Sequence, residues 1–135
     1  MILIVCVDDN YGMGFNHRRQ SRDQVVTEEI LKLSTDSKLW VSPYSVSLFP
    51  EDSALVADED FLEKAGENDV CFAECTDVSP WLDRVKKIVL FRWNRKYPSD
   101  LKFPYAILKN EWKVVRSKEI PGHSHEKITM EVYRQ

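Results

Sequence analysis

The sequence predicts an α/β fold: a central, mainly parallel mixed sheet flanked by helices and closed by an antiparallel C-terminal hairpin. Three observations predict it. Ile2 to Val7 is an unbroken, mostly β-branched apolar run, the pattern of a strand buried on both faces. Apolar strand-like runs then alternate with helix-like or turn-rich segments as far as Trp93. Beyond that point two alternating segments, Glu111–Arg116 and Ile128–Tyr133, flank a turn at Pro121–His125 and read as a hairpin.

The elements follow in order. After Ile2–Val7 comes a turn cluster, Asp8-Asp9-Asn10, and then Gly12-Met13-Gly14. Glycines after a central strand let the backbone turn sharply or approach a ligand closely. In Gln24–Leu33, Val26, Ile30 and Leu33 recur at helical spacing, with Asp23 placed as the N-cap. Lys38–Ser42 is a short strand, Pro43–Leu48 a turn or short helix, and Ala54–Ala57 another strand. Asp58–Ala65 is a helix with an acidic first turn and Gly66 as its stop. Val70–Ala73 is a buried strand, Asp77–Val85 a short helix with Pro80 in its first turn, and Lys87–Trp93 a strong strand. Tyr97–Leu108, carrying Pro98 and Pro104, reads as an irregular link. Ile2–Val7, Val70–Ala73 and Lys87–Trp93 are the most continuous apolar runs and should lie side by side at the sheet centre.

Composition bounds the function. At 135 residues, 43% hydrophobic and 30% charged, the chain reads as one globular domain able to bury about two thirds of its unfolded surface. A net charge of −3 argues against binding to nucleic acid, and the basic stretch Arg92–Lys96 reads as the solvated end of a strand. No apolar run approaches the ~20 residues needed to span a bilayer. Ile2–Val7 is too short for a signal-peptide core, so a cytoplasmic location is expected. Cys6, Cys71 and Cys75 read as reduced, structural thiols without a zinc-site partner pair.

The same order, carried by particular residues, resembles the dihydrofolate reductase family. VDDNYGMG is similar to the family's first strand and its Asp-x-x-x-Gly-x-Gly entry to the active-site loop. NDVCFAE followed by WLDRVKKIVLFRW resembles its central strand, short helix and next strand. Lys102-Phe103-Pro104, Trp112 and Met130-Glu131-Val132-Tyr133-Arg134 fill the places of its C-terminal hairpin. The resemblance implies a cleft bounded by Gly12–His17, Asp23–Thr27 and Ser42–Ser45. It implies Asp23 as the candidate catalytic carboxylate, and Gly12, Met13, Gly14, Ser42, Tyr44, Ser45, Ala73 and Glu74 at the cofactor positions.

The departures from that family are as informative as the match. Its Pro-Trp before the carboxylate is replaced by Arg19-Gln20, so Asp23 reads as a helix cap before a proton donor. Its Gly-Arg-x-Thr phosphate clamp is replaced by Ser42-Pro43-Tyr44-Ser45, which loses a guanidinium and an N–H donor. Its Gly-Gly beside the pyrophosphate is replaced by Ala73-Glu74, which sets a negative charge against an anion. Its threonine on the next strand corresponds to Phe91. The strand and loop that serve the adenosine phosphate have no counterpart between LWVSPYSVSLF and ALVADEDFLEKAG. These losses imply a relative without NADPH-dependent reductase activity and without a cofactor. It would serve a binding or regulatory role toward a protein or small-molecule partner. The alternative is a divergent reductase of a pterin-like substrate using a reduced nicotinamide or flavin.

If the reductase chemistry is gone, the cleft should be filled. Phe15, His17, Arg18, Arg19 and Tyr44 are the candidates, with Arg18 or Arg19 pairing with Asp23. His123-Ser124-His125-Glu126 is also similar to the first part of a His-x-His-x-Asp-His metal motif. The Asp-His is missing, and these histidines are expected to be exposed in the turn.

Overall fold

The computed structural model describes residues 1–135. Its main sheet has seven strands. They are β1 (Ile2–Val7), β4 (Leu39–Val41), β5 (Leu55–Ala57), β6 (Val70–Phe72), β7 (Lys87–Arg92), β9 (Lys113–Pro121) and β10 (Lys127–Arg134), in the spatial order β5-β4-β6-β1-β7-β10-β9. β1 runs parallel to β6 on one side and to β7 on the other, so the three most apolar runs are neighbours at the centre. β10 then pairs antiparallel with β7 and with β9, which forms the far edge. Beyond the 3₁₀ helix Pro43–Leu48 the chain reaches β5 with no strand between, and β5 is the other edge.

Strand pleating divides the core in two. Leu3, Val5 and Val7 of β1 face one side with Cys71, Ile88 and Leu90. Helix α2 (Phe61–Lys64), the 3₁₀ helix Ser79–Arg84 and helix α3 (Tyr105–Glu111) supply Phe61, Leu82 and Leu108 to that side. Ile4 faces the other side with Phe72, Val89 and Phe91. There α1 (Gln24–Leu33) lays Val26 and Ile30 on the sheet, the two positions that its helical spacing presents together. Both faces of β1, β6 and β7 are therefore covered, which is why these strands are continuously apolar.

A second sheet of three short strands was not anticipated. β2 (Gly12–Phe15) pairs with β3 (Arg18–Arg19) and β8 (Leu101–Lys102) at the carboxyl end of β1. Asn16 and His17, both at positive φ, make the two-residue turn between β2 and β3. The segment read as an irregular link, Tyr97–Leu108, holds β8 and most of α3. Pro104 does not break that helix; it stands immediately before it, where the missing N–H costs nothing. The predicted helix Asp58–Ala65 is only the single turn of α2, and Asp77–Val85 is 3₁₀ rather than α.

Trp93 and Trp112 are both buried, one in each half of the core. Truncating Trp112 to Ala should cost about 3–5 kcal/mol in denaturant unfolding. A loss below about 1 kcal/mol would show that the region leading into β9 lies outside the cooperative core.

Candidate functional site

Asp23 caps α1 as its position predicts: Oδ1 accepts the Val25 amide at 2.9 Å. The same carboxylate is fully buried and is gripped from across the chain by the β9–β10 turn. The backbone amides of His123, Ser124 and His125 converge on it at 2.9–3.1 Å. The Ser124 hydroxyl adds a contact at 3.2 Å and the His125 Nδ1 another at 2.9 Å. Three consecutive amides aimed at one carboxylate form an anion-binding nest. Gly122 opens the turn because a Cβ there would stand 2.9 Å from Asp23 Oδ2 and collide with the His125 carbonyl.

Burial alone would raise the Asp23 pKa. The His123 amide, the His125 ring and the Val25 and Ser124 amides outweigh it and hold the carboxyl well below the usual carboxylate range. The expectation that Arg18 or Arg19 pairs with Asp23 is thus corrected. Its partner is His125, and the turn histidines are not both exposed. His125 is buried, its ring stacked on Trp93 at 4.7 Å, while His123 stays at the surface. The two rings have different environments, and no cluster of His, Cys, Asp or Glu side chains is placed to hold a metal ion.

Arg19 instead meets Glu74. Its Nε and Nη2 donate to the two carboxylate oxygens at 2.9 and 3.0 Å, a bidentate pair. Ser45, wholly buried, donates its hydroxyl to the same carboxylate at 2.8 Å, and Ser42 Oγ lies 3.5 Å from Ser45 Oγ. The guanidinium also lies over the Tyr44 ring, 4.4 Å from its centroid, and the Tyr44 hydroxyl accepts the Arg19 amide at 3.1 Å. Ser42, Tyr44, Ser45 and Glu74 are therefore brought together, beside the carboxyl ends of β4 and β6, around a cation from β3. Ala73 is buried just before Glu74, its amide bonded to Ile4.

Of the other expected cleft fillers, Phe15, His17 and Arg18 remain exposed. Two voids of about 10 Å³ each are left around Cys6, Ser21, Glu74 and Trp93. Each is the size of a single water molecule.

The space beside Gly12 and Met13 is occupied by the protein itself, whereas Gly14 and His17 line an open cavity of about 320 Å³ with Cys75, Asp77, Asp100 and Leu101. Met13 is buried, and a Cβ on Gly12 would lie 2.6 Å from both Gln20 Nε2 and Ser99 Cβ. Gly12 also donates its amide to Asp8 Oδ1 at 2.8 Å. Asp8, which the sequence showed only as part of a turn cluster, is fully buried and accepts from Asn10, Gly12, Gln20 and Tyr97. Burial opposes its ionisation, but these donors lower its pKa.

Arg92 is likewise not a solvated strand end. It bonds Glu131 and the Tyr11 hydroxyl and stacks on the Tyr11 ring. The cysteines are poor nucleophiles. Burial, with Asp69 near Cys71 and Glu74 near Cys75, pushes their thiols up to about 12 and about 11.

No family model and no curated protein matches the chain by sequence. A comparison of structures does find a match. The chain is similar to the dihydrofolate reductase from Enterococcus faecalis, solved in complex with NADP(H) and RAB-propyl, with a TM-score of 0.70. The match covers 98% of this chain and 94% of that one, at 11% sequence identity. The fold is that of dihydrofolate reductase. At this identity the likeness is one of backbone architecture, and the chemistry has to be read from this chain's own residues.

The clamp makes two linked predictions. Asp23→Asn should destabilise the protein by about 3–5 kcal/mol at neutral pH, because it leaves converging donors without a charged acceptor. A loss under about 1 kcal/mol in urea unfolding would reduce Asp23 to an ordinary cap. Because its folded pKa is depressed, Asp23 contributes its full stability above the unfolded carboxylate value of about 3.9. That contribution is lost as the pH falls from there toward the folded value. The acid limb of the stability curve should therefore be shallower in Asp23→Asn than in the unmutated protein.

Proposed function

We propose that this chain is a dihydrofolate reductase-fold protein that has lost NADPH-dependent reductase activity and serves a binding or regulatory role. The observation that carries the reading is the Arg19–Glu74 ion pair, with Ser45 and Tyr44, beside the carboxyl ends of the parallel strands. In open α/β sheets that end is where ligands bind. Here an internal salt bridge lies between β3, β6 and the 3₁₀ helix after β4.

The residues do not fit a reduced nicotinamide dinucleotide. Glu74 presents a carboxylate where a phosphate would need donors, and Pro43 has no N–H to give. Around Cys6, Ser21, Glu74 and Trp93 the space left is two voids of about 10 Å³ each, too small for a nicotinamide ring. Nor is Asp23 suited to protonate a substrate. A proton donor needs a pKa near the working pH, whereas this carboxylate is held ionised by its donors. Opening the cleft would require breaking a bidentate, partly desolvated pair, a substantial cost against any weak ligand.

A binding role has a more suitable surface elsewhere. A groove of about 450 Å³ runs between α1, the Phe49-Pro50 loop and the β9–β10 turn, with Arg22, Glu28 and His123 at its polar walls. It borders the Asp23–Thr27 side of the expected cleft, away from the Arg19–Glu74 pair, and is open to solvent.

Titration with NADPH, followed through the protein's tryptophan fluorescence, tests the reading. No saturable binding is expected up to millimolar cofactor, and no dihydrofolate-dependent NADPH oxidation. Saturable binding in the micromolar range, or turnover abolished by Asp23→Asn, would establish the alternative of a divergent reductase.

A further inference from the structure

The His125 imidazole is engaged at both nitrogens. Nδ1 lies 2.9 Å from Asp23 Oδ2, and Nε2 lies 2.9 Å from Ser21 Oγ. We propose that Ser21, His125 and Asp23 form a nucleophilic site that hydrolyses short-chain carboxylic esters through an acyl-Ser21 intermediate. The chain shares Asp23 with the expected reductase cleft but assigns it a different role, as the acceptor that orients His125.

The polarity of the chain follows from its acceptor. An ionised carboxylate can only accept, so the Nδ1 facing Asp23 carries the proton. In the neutral imidazole Nε2 is then the acceptor, and the Ser21 hydroxyl donates to it. Tyr97 extends the chain, its hydroxyl 3.4 Å from Ser21 Oγ and 3.2 Å from Nε2. Ring position is fixed as well as tautomer. The stack on Trp93 holds the imidazole face, and the His125 amide is itself bonded to Asp23 at 3.1 Å. Nucleophile, base and orienting carboxylate thus meet the geometric requirements for an activated serine. His125 and Asp23 are buried, whereas Ser21 is partly exposed, so the one group that must meet a substrate is the one that solvent reaches.

The step balances as an ordinary ester hydrolysis. Ser21 Oγ bonds to the ester carbonyl carbon, the carbonyl π pair moves to oxygen, and the Oγ proton passes to His125 Nε2. Two donors adjoin the nucleophile for that oxyanion. One is the Tyr97 hydroxyl; the other is the amide N–H of Arg22, next in the chain, which donates to no backbone carbonyl. The intermediate collapses, the C–O bond to the alcohol breaks, and the departing oxygen takes the proton from Nε2. Water then attacks the acyl-serine, gives a proton to Nε2, and releases a carboxylic acid as Ser21 regains its hydrogen. Asp23 does not touch the reacting atoms; it is the positioning residue for the ring.

Space beside Ser21 sets the substrate class. The two voids that it lines hold about 10 Å³ each, one water apiece, so no acyl chain can be buried there; the ester must approach Ser21 from the solvent side, where a compact acyl group meets least obstruction. The alcohol portion would leave past Arg22, where the open groove begins.

The test uses the intact protein, a fluorophosphonate probe and p-nitrophenyl esters. One phosphonyl group is expected per chain, located on Ser21 by peptide mass spectrometry. p-Nitrophenyl acetate should be hydrolysed at least about tenfold faster than the octanoate. Ser21→Ala, a small change at a partly exposed position, should abolish both activities while circular dichroism and Tm stay near those of the unmutated protein. His125→Gln should label at least about 100-fold more slowly. In folded Asp23→Asn, kcat should fall at least about 100-fold with KM unchanged, the mark of a lost tautomer rather than a lost fold. No Ser21 adduct on the unmutated protein, under conditions that label a known serine hydrolase, overturns the proposal whatever the variants do. So does ester hydrolysis that persists in Ser21→Ala.

Discussion

The structure depends on one buried charge. Asp23 has no water to solvate it, so its ionised form persists only if the protein supplies donors. They come from the first turn of its own helix and from a turn about 100 residues away in the chain. That single acceptor therefore ties the start of α1 to the end of the C-terminal hairpin. It fixes the backbone of the turn, since three successive amides must point at one carboxylate, and it requires the absence of a side chain at Gly122. It also fixes where Arg19 to Arg22 can run, because that segment is held between β3 and the cap. Arg19 reaches Glu74 and Ser21 reaches His125 from a strip of chain anchored at Asp23.

A second, half-buried pair inverts the electrostatics ordinary at this end of a parallel sheet. A ligand cleft at the carboxyl ends of parallel strands is ordinarily an anion site, built from backbone donors and cations. Glu74 makes the same place an acceptor. A lone carboxylate there would be costly, but Arg19 and Ser45 neutralise and satisfy it, and Tyr44 covers the guanidinium. An incoming phosphate would then face a carboxylate already paired, with the pair's desolvation cost already met inside the protein.

Much of this fold was legible because its strands are buried on both faces. Ile2–Val7, Val70–Phe72 and Lys87–Arg92 stand out for that reason, and α1 was readable to its end residues because cap and apolar spacing agree. The small sheet was not legible. Its turn uses Asn16-His17 where a glycine would have signalled a two-residue hairpin, and its strands are too short to show alternation. α3 was hidden because Pro98 and Pro104 read as breakers, although a proline at a helix start is favourable. The site was legible only in part. Asp23, Tyr44, Ser45 and Glu74 could be named, but their partners could not. Arg19 with Glu74 and Asp23 with His125 are long-range pairs, and nothing in local spacing marks them. The turn histidines were misread for the same reason: a polar turn sequence predicts exposure unless a buried acceptor lies beneath it.

The coupling of the two ends of the chain has a chemical consequence. In most proteins a reactive serine sits on a loop whose geometry can drift without unfolding the scaffold. Here the imidazole that faces Ser21 is held by the same carboxylate that caps α1 and closes the hairpin, and by the Trp93 ring of the core. Its orientation and tautomer are by-products of folding rather than separate refinements. A change that misaligned the ring would also unseat the cap and the turn, so the arrangement can be retained by stability alone. The same coupling limits it, since Asp23 cannot relax toward a substrate without releasing the hairpin. Whatever binds at Ser21 must do so against a rigid base, and from the solvent side, since the voids beneath it hold one water each.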